Sequence, residues 1–144
     1  MIFISVGTYS AGFERLIKEA DRLASRGLLK NALAQIGYSK YVPKFIKYRR
    51  FFSQEEINEI IRKSEFLIIQ GGAGTIEKGL SYKKKIIVVP RLKKYNEYFN
   101  DHQLEITRLL EFEGRILAVY GINDLEMAIR QISKFCPKTK NNNK

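Results

Sequence analysis

The chain has 144 residues, 44% of them hydrophobic, which suits one well-buried domain and is short for two. Lys and Arg number 26 against 15 Asp and Glu, a net charge of +11, so something anionic is indicated as a neighbour: nucleic acid, an acidic membrane surface or a phosphorylated substrate. No apolar run is long enough to span a bilayer, Met1 to Gly7 lacks the basic region and cleavage site of a signal peptide, and the single Cys136 has neither a disulfide partner nor a ligand set around it. A cytoplasmic chain without a metal site is the expectation.

In chain order, Ile2 to Val6 has the length and β-branched content of a buried strand. Phe13, Leu16, Ile17, Ala20, Leu23 and Ala24 then recur at three- and four-residue steps, the period of a helix with one apolar face. Ala32 to Ile36 and Phe45 to Arg49 are weaker strand candidates. Ser53-Gln54-Glu55-Glu56 is a capping box that opens a helix with Ile57, Ile60 and Ile61 on its apolar side. Phe66 to Ile69, Ile86 to Val89 and Ile116 to Val119 complete the strands, with a helix through Leu104, Ile106, Thr107 and Leu110 between the last two. Asn123 or Asp124 caps a final helix through Leu125, Ile129 and Ile132, and a polar, disordered tail occupies 137–144, leaving 1–136 as the domain. Alternation of strands and helices predicts an α/β, Rossmann-like domain with a mostly parallel sheet, and ligands at the carboxyl ends of its strands.

The polar features fall at those ends. Gly7-Thr8 follows the first strand, Gly37-Tyr38-Ser39 the second, Gln70-Gly71-Gly72-Ala73-Gly74-Thr75 the fourth and Pro90-Arg91 the fifth. Glycines between a strand and a helix start let a ligand approach the backbone, and the unpaired N–H groups of the first helical turn favour an anion. The spacing is neither Gly-x-x-x-x-Gly-Lys-Ser/Thr nor Gly-x-Gly-x-x-Gly, which argues against ordinary kinases and dehydrogenases; the glycines either hold a phosphorylated small molecule or form only a tight strand-to-helix corner. Basic clusters at Lys47 to Arg50, Lys83 to Lys85 and Arg91 to Lys94 read either as anion-facing patches or as solvated surface.

An ordered set of segments carries a resemblance. It comprises Ile4-Ser5-Val6-Gly7-Thr8, Gln35-Ile36-Gly37-Tyr38-Ser39, Gly71-Gly72-Ala73-Gly74-Thr75, Ile87-Val88-Val89-Pro90-Arg91 and Asn100-Asp101-His102-Gln103. Together they resemble the C-terminal domain of family 28 glycosyltransferases, from Met1 to about Val119. Within that family they are similar to the small subunits of split enzymes: the cytosolic partner of the two-part transferase that adds N-acetylglucosamine to dolichol-linked sugar, and related bacterial exopolysaccharide subunits. The resemblance implies the C-terminal half of a GT-B architecture. It further implies a donor-binding subunit that transfers a hexosyl or N-acetylhexosaminyl group from a UDP-sugar, with inversion and without metal or other cofactor. The acceptor would be lipid-linked and membrane-held, recognised by a membrane-anchored partner subunit that keeps this chain at the inner face of the membrane.

The same resemblance assigns donor binding to Gly7, Thr8, Gln70, Gly71, Gly72, Ala73, Gly74 and Thr75, with the diphosphate on the amides of 72–74 and the Thr75 hydroxyl. Asp101 and Gln103 would read the sugar hydroxyls; the alternative is that Asn100 or Asp101 simply caps the following helix. His102, the only histidine, is a candidate general base, although in related two-domain enzymes the base comes from the other half. Phe51 or Phe52 would bracket the nucleotide base, or else serve the core. The family usually has His at Gln70 and Glu at Lys78. Glu77 stands one place earlier, turned by about 100° on a helix, so it reaches the ribose only with a local shift, while Lys78 either reaches a phosphate or points to solvent. A reading from a different class, a non-catalytic nucleotide- or nucleic-acid-binding module, stays open beside the enzyme.

Overall fold

The computed structural model describes residues 1–139; of the predicted disordered tail over 137–144, residues 140–144 lie outside the described residues. Six strands form one all-parallel sheet in the order β3-β2-β1-β4-β5-β6: β1 Ile2–Ser5, β2 Ala32–Gln35, β3 Lys47–Arg49, β4 Phe66–Gln70, β5 Lys85–Val89 and β6 Leu117–Ala118. Helices α1 Glu14–Ser25, α2 Gln54–Lys63, α3 Ala73–Ser81, α4 His102–Phe112 and α5 Leu125–Gln131 cover both faces.

Strand alternation sorts the core into two layers. Ile2, Ile4, Phe66, Ile68, Ile87 and Val89 point to one face, where they meet Leu16, Ile17, Ala20 and Leu23 of α1 and Leu125 and Ala128 of α5. Phe3, Leu67, Ile69, Ile86 and Val88 point to the other, against Ile61 of α2 and Ile76 of α3. A strand buried on both faces needs an unbroken apolar run, which is why β1, β4 and β5 were the clearest strands in the sequence. At the sheet edge β3 is short and fully exposed, with Lys47 and Arg49 set against edge-to-edge pairing.

Local signals hold where they are complete. Ser53 and Glu56 make the reciprocal capping box at α2, with Ser53 Oγ accepting from the Glu56 amide at 3.1 Å and Glu56 Oε1 accepting from the Ser53 amide at 2.8 Å. The last helix departs from expectation. A 3-10 turn, Ile122–Asp124, precedes α5, and Asp124 at the N-cap position makes no side-chain cap because its backbone is already helical rather than extended. Beyond Cys136, the Lys138 amide donates to the Gly114 carbonyl at 2.9 Å, so the chain stays tied to the domain two residues past the expected boundary.

The topology fixes where a ligand can sit. Strand order reverses between β1 and β4, and the loops leaving these two strands diverge to opposite faces, opening a crevice between Gly7 and Gly72 at their carboxyl ends.

Candidate functional site

At that crevice α3 begins with Gly72 as its N-cap and no side-chain cap. A Ser or Asp there would consume one of the first helical amides; glycine leaves them open. The first intrahelical bond runs from the Ile76 amide to the Gly72 carbonyl, so the amides of Ala73, Gly74 and Thr75 have no intrahelical acceptor. Ala73 and Gly74 are exposed, Gly72 and Thr75 half-buried. A Cβ on Gly74 would meet nothing within 4 Å, which makes the ledge above the helix start open space.

Below the ledge lies a buried polar knot. Gln70, 8% exposed, accepts through Oε1 from Arg91 Nε at 2.6 Å and from Gln103 Nε2 at 3.1 Å. Arginine can only donate, so this contact fixes the orientation of the Gln70 amide. Its Nε2 then points between the two glycines: a Cβ on Gly7 would fall 1.8 Å from it and one on Gly72 3.0 Å from it. Among the described residues nothing accepts a hydrogen bond from that nitrogen. A donor that reaches the crevice, open to solvent and unpartnered among the described residues, therefore accompanies the free amides of α3.

Gly7 itself has φ +74°, a left-handed backbone that glycine adopts without cost, and its amide is spent on Ser5 Oγ at 3.1 Å. The amide of Gln35 spans the back of this turn, donating to the Gly7 carbonyl and accepting from the Phe52 amide. Thr8 is exposed at the lip.

Gln103 was expected to read sugar hydroxyls. In the fold it is 4% exposed and fully occupied: Oε1 accepts from the amides of Gly71 at 3.1 Å and Arg91 at 3.0 Å, and Nε2 is held by Gln70. Its place is beneath the glycine loop, not in the crevice. Gly71 lets α4 come this close, since a Cβ there would sit 2.9 Å from Gln103 Cβ and 3.0 Å from its carbonyl oxygen. Asp101 stays exposed and accepts from the Lys93 amide at 3.1 Å, leaving its second oxygen open. The helix-start role belongs to Asn100, whose Oδ1 accepts from the His102 amide at 3.0 Å.

His102 is exposed, with its Nδ1 3.2 Å from Asn100 Nδ2. Among the described residues no carboxylate is hydrogen-bonded to its ring.

Arg91 stands, as the sequence indicates, at the carboxyl end of the fifth strand, but its role is not legible there. It is 0% exposed and donates from its side chain to Gln70 Oε1 and to the carbonyls of Val6, Ala11, Gly12 and Glu97, between 2.6 and 3.2 Å. It also lies over the rings of Phe13 and Tyr9, at 5.0 and 5.5 Å. Burial pushes its pKa down to about 10, with Glu97 opposing the shift, so the charge persists at neutral pH. Glu97 is engaged by Arg15 in a bidentate pair at 2.9 Å and by the Leu92 amide at 3.0 Å. The charge of Arg91 and the positive end of the α3 dipole thus both favour an anion in the crevice. The available signal was position alone: a polar residue at the carboxyl end of a buried strand.

The remaining candidates divide. Phe51 is half-exposed near Gly37 and stands edge-on to Tyr38 at 5.1 Å, at the carboxyl edge. Phe52 is turned to the second apolar layer, edge-on to Phe3 at 6.2 Å and beneath the Arg49 guanidinium, so it serves the core rather than the crevice. On α3, Glu77 is exposed and Lys78 half-buried. A cleft of about 330 Å³ lies along the same carboxyl edge, lined in part by Leu92, Tyr95, Asp101 and Tyr120.

Comparison with known proteins places this architecture. No curated protein matches the chain. Among solved structures it is similar to the glycotransferase of kitacinnamycin, with 14% identity and a TM-score of 0.67 over 92% of this chain and 34% of that one. It is also similar to the glycosyltransferase SnogD from Streptomyces nogalater, with 15% identity and a TM-score of 0.53 over 94% of this chain and 40% of that one. At such identities the likeness is one of fold, that of the C-terminal Rossmann-like half of a GT-B glycosyltransferase, and the chain spans about a third to two fifths of those proteins' length. The family model described as the glycosyltransferase family 28 C-terminal domain matches residues 1–144, and the chain belongs to that family.

Proposed function

We propose that this chain binds the donor of a glycosyltransferase, a UDP-sugar, with its diphosphate on the Gly72 to Thr75 ledge. One observation carries the reading: the uncapped start of α3 and the unpartnered Gln70 Nε2 converge on one crevice at the strand-order reversal. The open amides, the Thr75 hydroxyl and Gln70 Nε2 supply donors for phosphate oxygens, with Gly7 and Thr8 forming the facing lip. These fixed dipoles stabilise the leaving UDP as negative charge develops on the β-phosphate oxygen that parts from the anomeric carbon, which is electrostatic catalysis without reorganisation. Phe51 brackets the base, Glu77 reaches the ribose after a local shift or Lys78 a phosphate, and the open oxygen of Asp101 accepts from a sugar hydroxyl.

In this reading the chain acts as one subunit of a split, inverting enzyme. A membrane-anchored partner binds a lipid-linked acceptor and supplies the base that removes the proton from its attacking hydroxyl. Inversion follows if that hydroxyl attacks the anomeric carbon opposite the departing UDP, and no metal is required of the step. His102 packs beside the sugar. The sugar transferred is a hexose or an N-acetylhexosamine.

Two measurements test this. Calorimetric titration of UDP into the wild type and a folded Gly72→Val variant should show binding that the variant loses; equal affinity sinks the ledge assignment. Transfer of radiolabelled sugar to lipid extract should require the co-expressed partner, and full turnover by this chain alone would refute the split-enzyme reading.

A further inference from the structure

We propose that the connection from β2 to β3 and the adjoining face of α1 form a docking surface for an anionic lipid bilayer, through direct contact by this chain. The inference goes beyond the donor-site reading and stands on different residues. From Arg22 to Gln54 the sequence contains no Asp or Glu and eight Lys and Arg. In the structure this stretch exposes Val42, Phe45 and Tyr48 at 38%, 63% and 39%. Tyr48 is in register with Ala34, whose side chain joins the α1-side core, so it falls on the same face of the sheet as α1.

These apolar side chains are held out, not left loose. The carboxylate of Asp21 on α1, 1% exposed, accepts from the Tyr41 hydroxyl at 2.6 Å and from the amides of Lys44 and Phe45 at 2.9 and 2.8 Å. Burying a carboxylate is costly, and these three donors offset the cost only while the loop keeps this shape. Phe45 is therefore fixed pointing outward beside the ammonium-bearing stem of Lys44.

The free charges on this face are lysines. Among the described residues neither Lys44 nor Lys18, which stands 6.0 Å from the Tyr41 ring centre, has a carboxylate within salt-bridge distance, while Lys47, next to Tyr48 on the strand, falls on the opposite face of the sheet. Of the four arginines in the stretch, Arg22 pairs with Glu19, Arg49 with Glu56, and Arg50 donates to the carbonyls of Gly37 and Ser39, while Arg26 lies at the end of α1. That difference selects the partner. A nucleic acid would use forked arginines and flat stacking rings, whereas the free groups here are lysine point charges around protruding Phe and Val. Such a combination suits a bilayer interface, where apolar side chains enter the headgroup boundary and lysine stems snorkel to the phosphates. A second copy of the chain would bring like charge against like.

The test is sedimentation of the full chain with vesicles of phosphatidylcholine alone and of phosphatidylcholine and phosphatidylglycerol in equal parts. Binding should appear with the anionic vesicles only and weaken as salt rises. Lys18→Gln with Lys44→Gln should weaken it about thirtyfold, at about fivefold per charge, and Phe45→Ser about tenfold. Thermal midpoint and UDP affinity should match the wild type in both variants, which separates failure of this surface from failure of the donor site. Equal sedimentation with both vesicle types, or variants that bind as the wild type does, overturns the proposal. Displacement from anionic vesicles by an equimolar single-stranded oligonucleotide overturns it in favour of a nucleic-acid surface.

Discussion

Replacing Gln103 with alanine separates a sugar contact from a positioning role. The side chain is buried, and its Oε1 accepts from the backbone amides of Gly71 and Arg91. Alanine leaves both amides without a partner and takes one of two donors from Gln70 Oε1. A buried donor left unsatisfied costs about 1–3 kcal/mol, so two amount to about 3 kcal/mol once water enters the space vacated by the amide. For a domain of this size, about 3 °C of thermal midpoint per kcal/mol gives a fall of about 9 °C. Because the Gly71 amide holds the entry to the phosphate ledge, UDP and a UDP-sugar should lose affinity by the same factor, read by calorimetry at a temperature where the variant is folded. An unchanged midpoint, with loss confined to the UDP-sugar, would refute this reasoning and return Gln103 to the sugar.

Three further outcomes follow from the same geometry. Gly7→Ala puts a Cβ onto Gln70 Nε2 at a left-handed backbone and should cost about 2 kcal/mol in urea unfolding, whereas Gly74→Ala adds a methyl to open space and should raise stability by about 0.5 kcal/mol while weakening UDP binding. If Gly74→Ala leaves UDP affinity intact, the diphosphate does not lie over that residue. Lys78→Glu should tighten UDP if α3 presents this position to the ribose, and a weakened titration would instead make Lys78 a phosphate ligand. Ser53→Ala removes the reciprocal cap of α2 and should lower stability by about 1 kcal/mol without altering UDP affinity, because the cap lies outside the crevice.

The sequence by itself determined the order of strands and helices, the capping box at Ser53 and the glycine loop at an α-helix start. Each is written in neighbouring residues: an apolar run, a three-residue spacing, a cluster without Cβ atoms. Weak strands such as Lys47–Arg49 were harder to read because an exposed edge needs no apolar pattern. What only the tertiary structure decided concerns polar side chains. Gln70, Arg91 and Gln103 come from β4, the end of β5 and α4, and nothing within any one segment says that their amides and guanidinium meet. Arg91 looked like part of a surface cluster because its sequence neighbours Lys93 and Lys94 are exposed; the carbonyls that bury its charge belong to Val6, Ala11, Gly12 and Glu97. The adjacent pair Phe51 and Phe52 divided between mouth and core for the same reason, since successive side chains on extended backbone face opposite ways and only the sheet beneath them defines which way is in. Burial of a polar group depends on partners that folding brings from elsewhere in the chain, so its role is settled by packing while helix and strand are settled by periodicity.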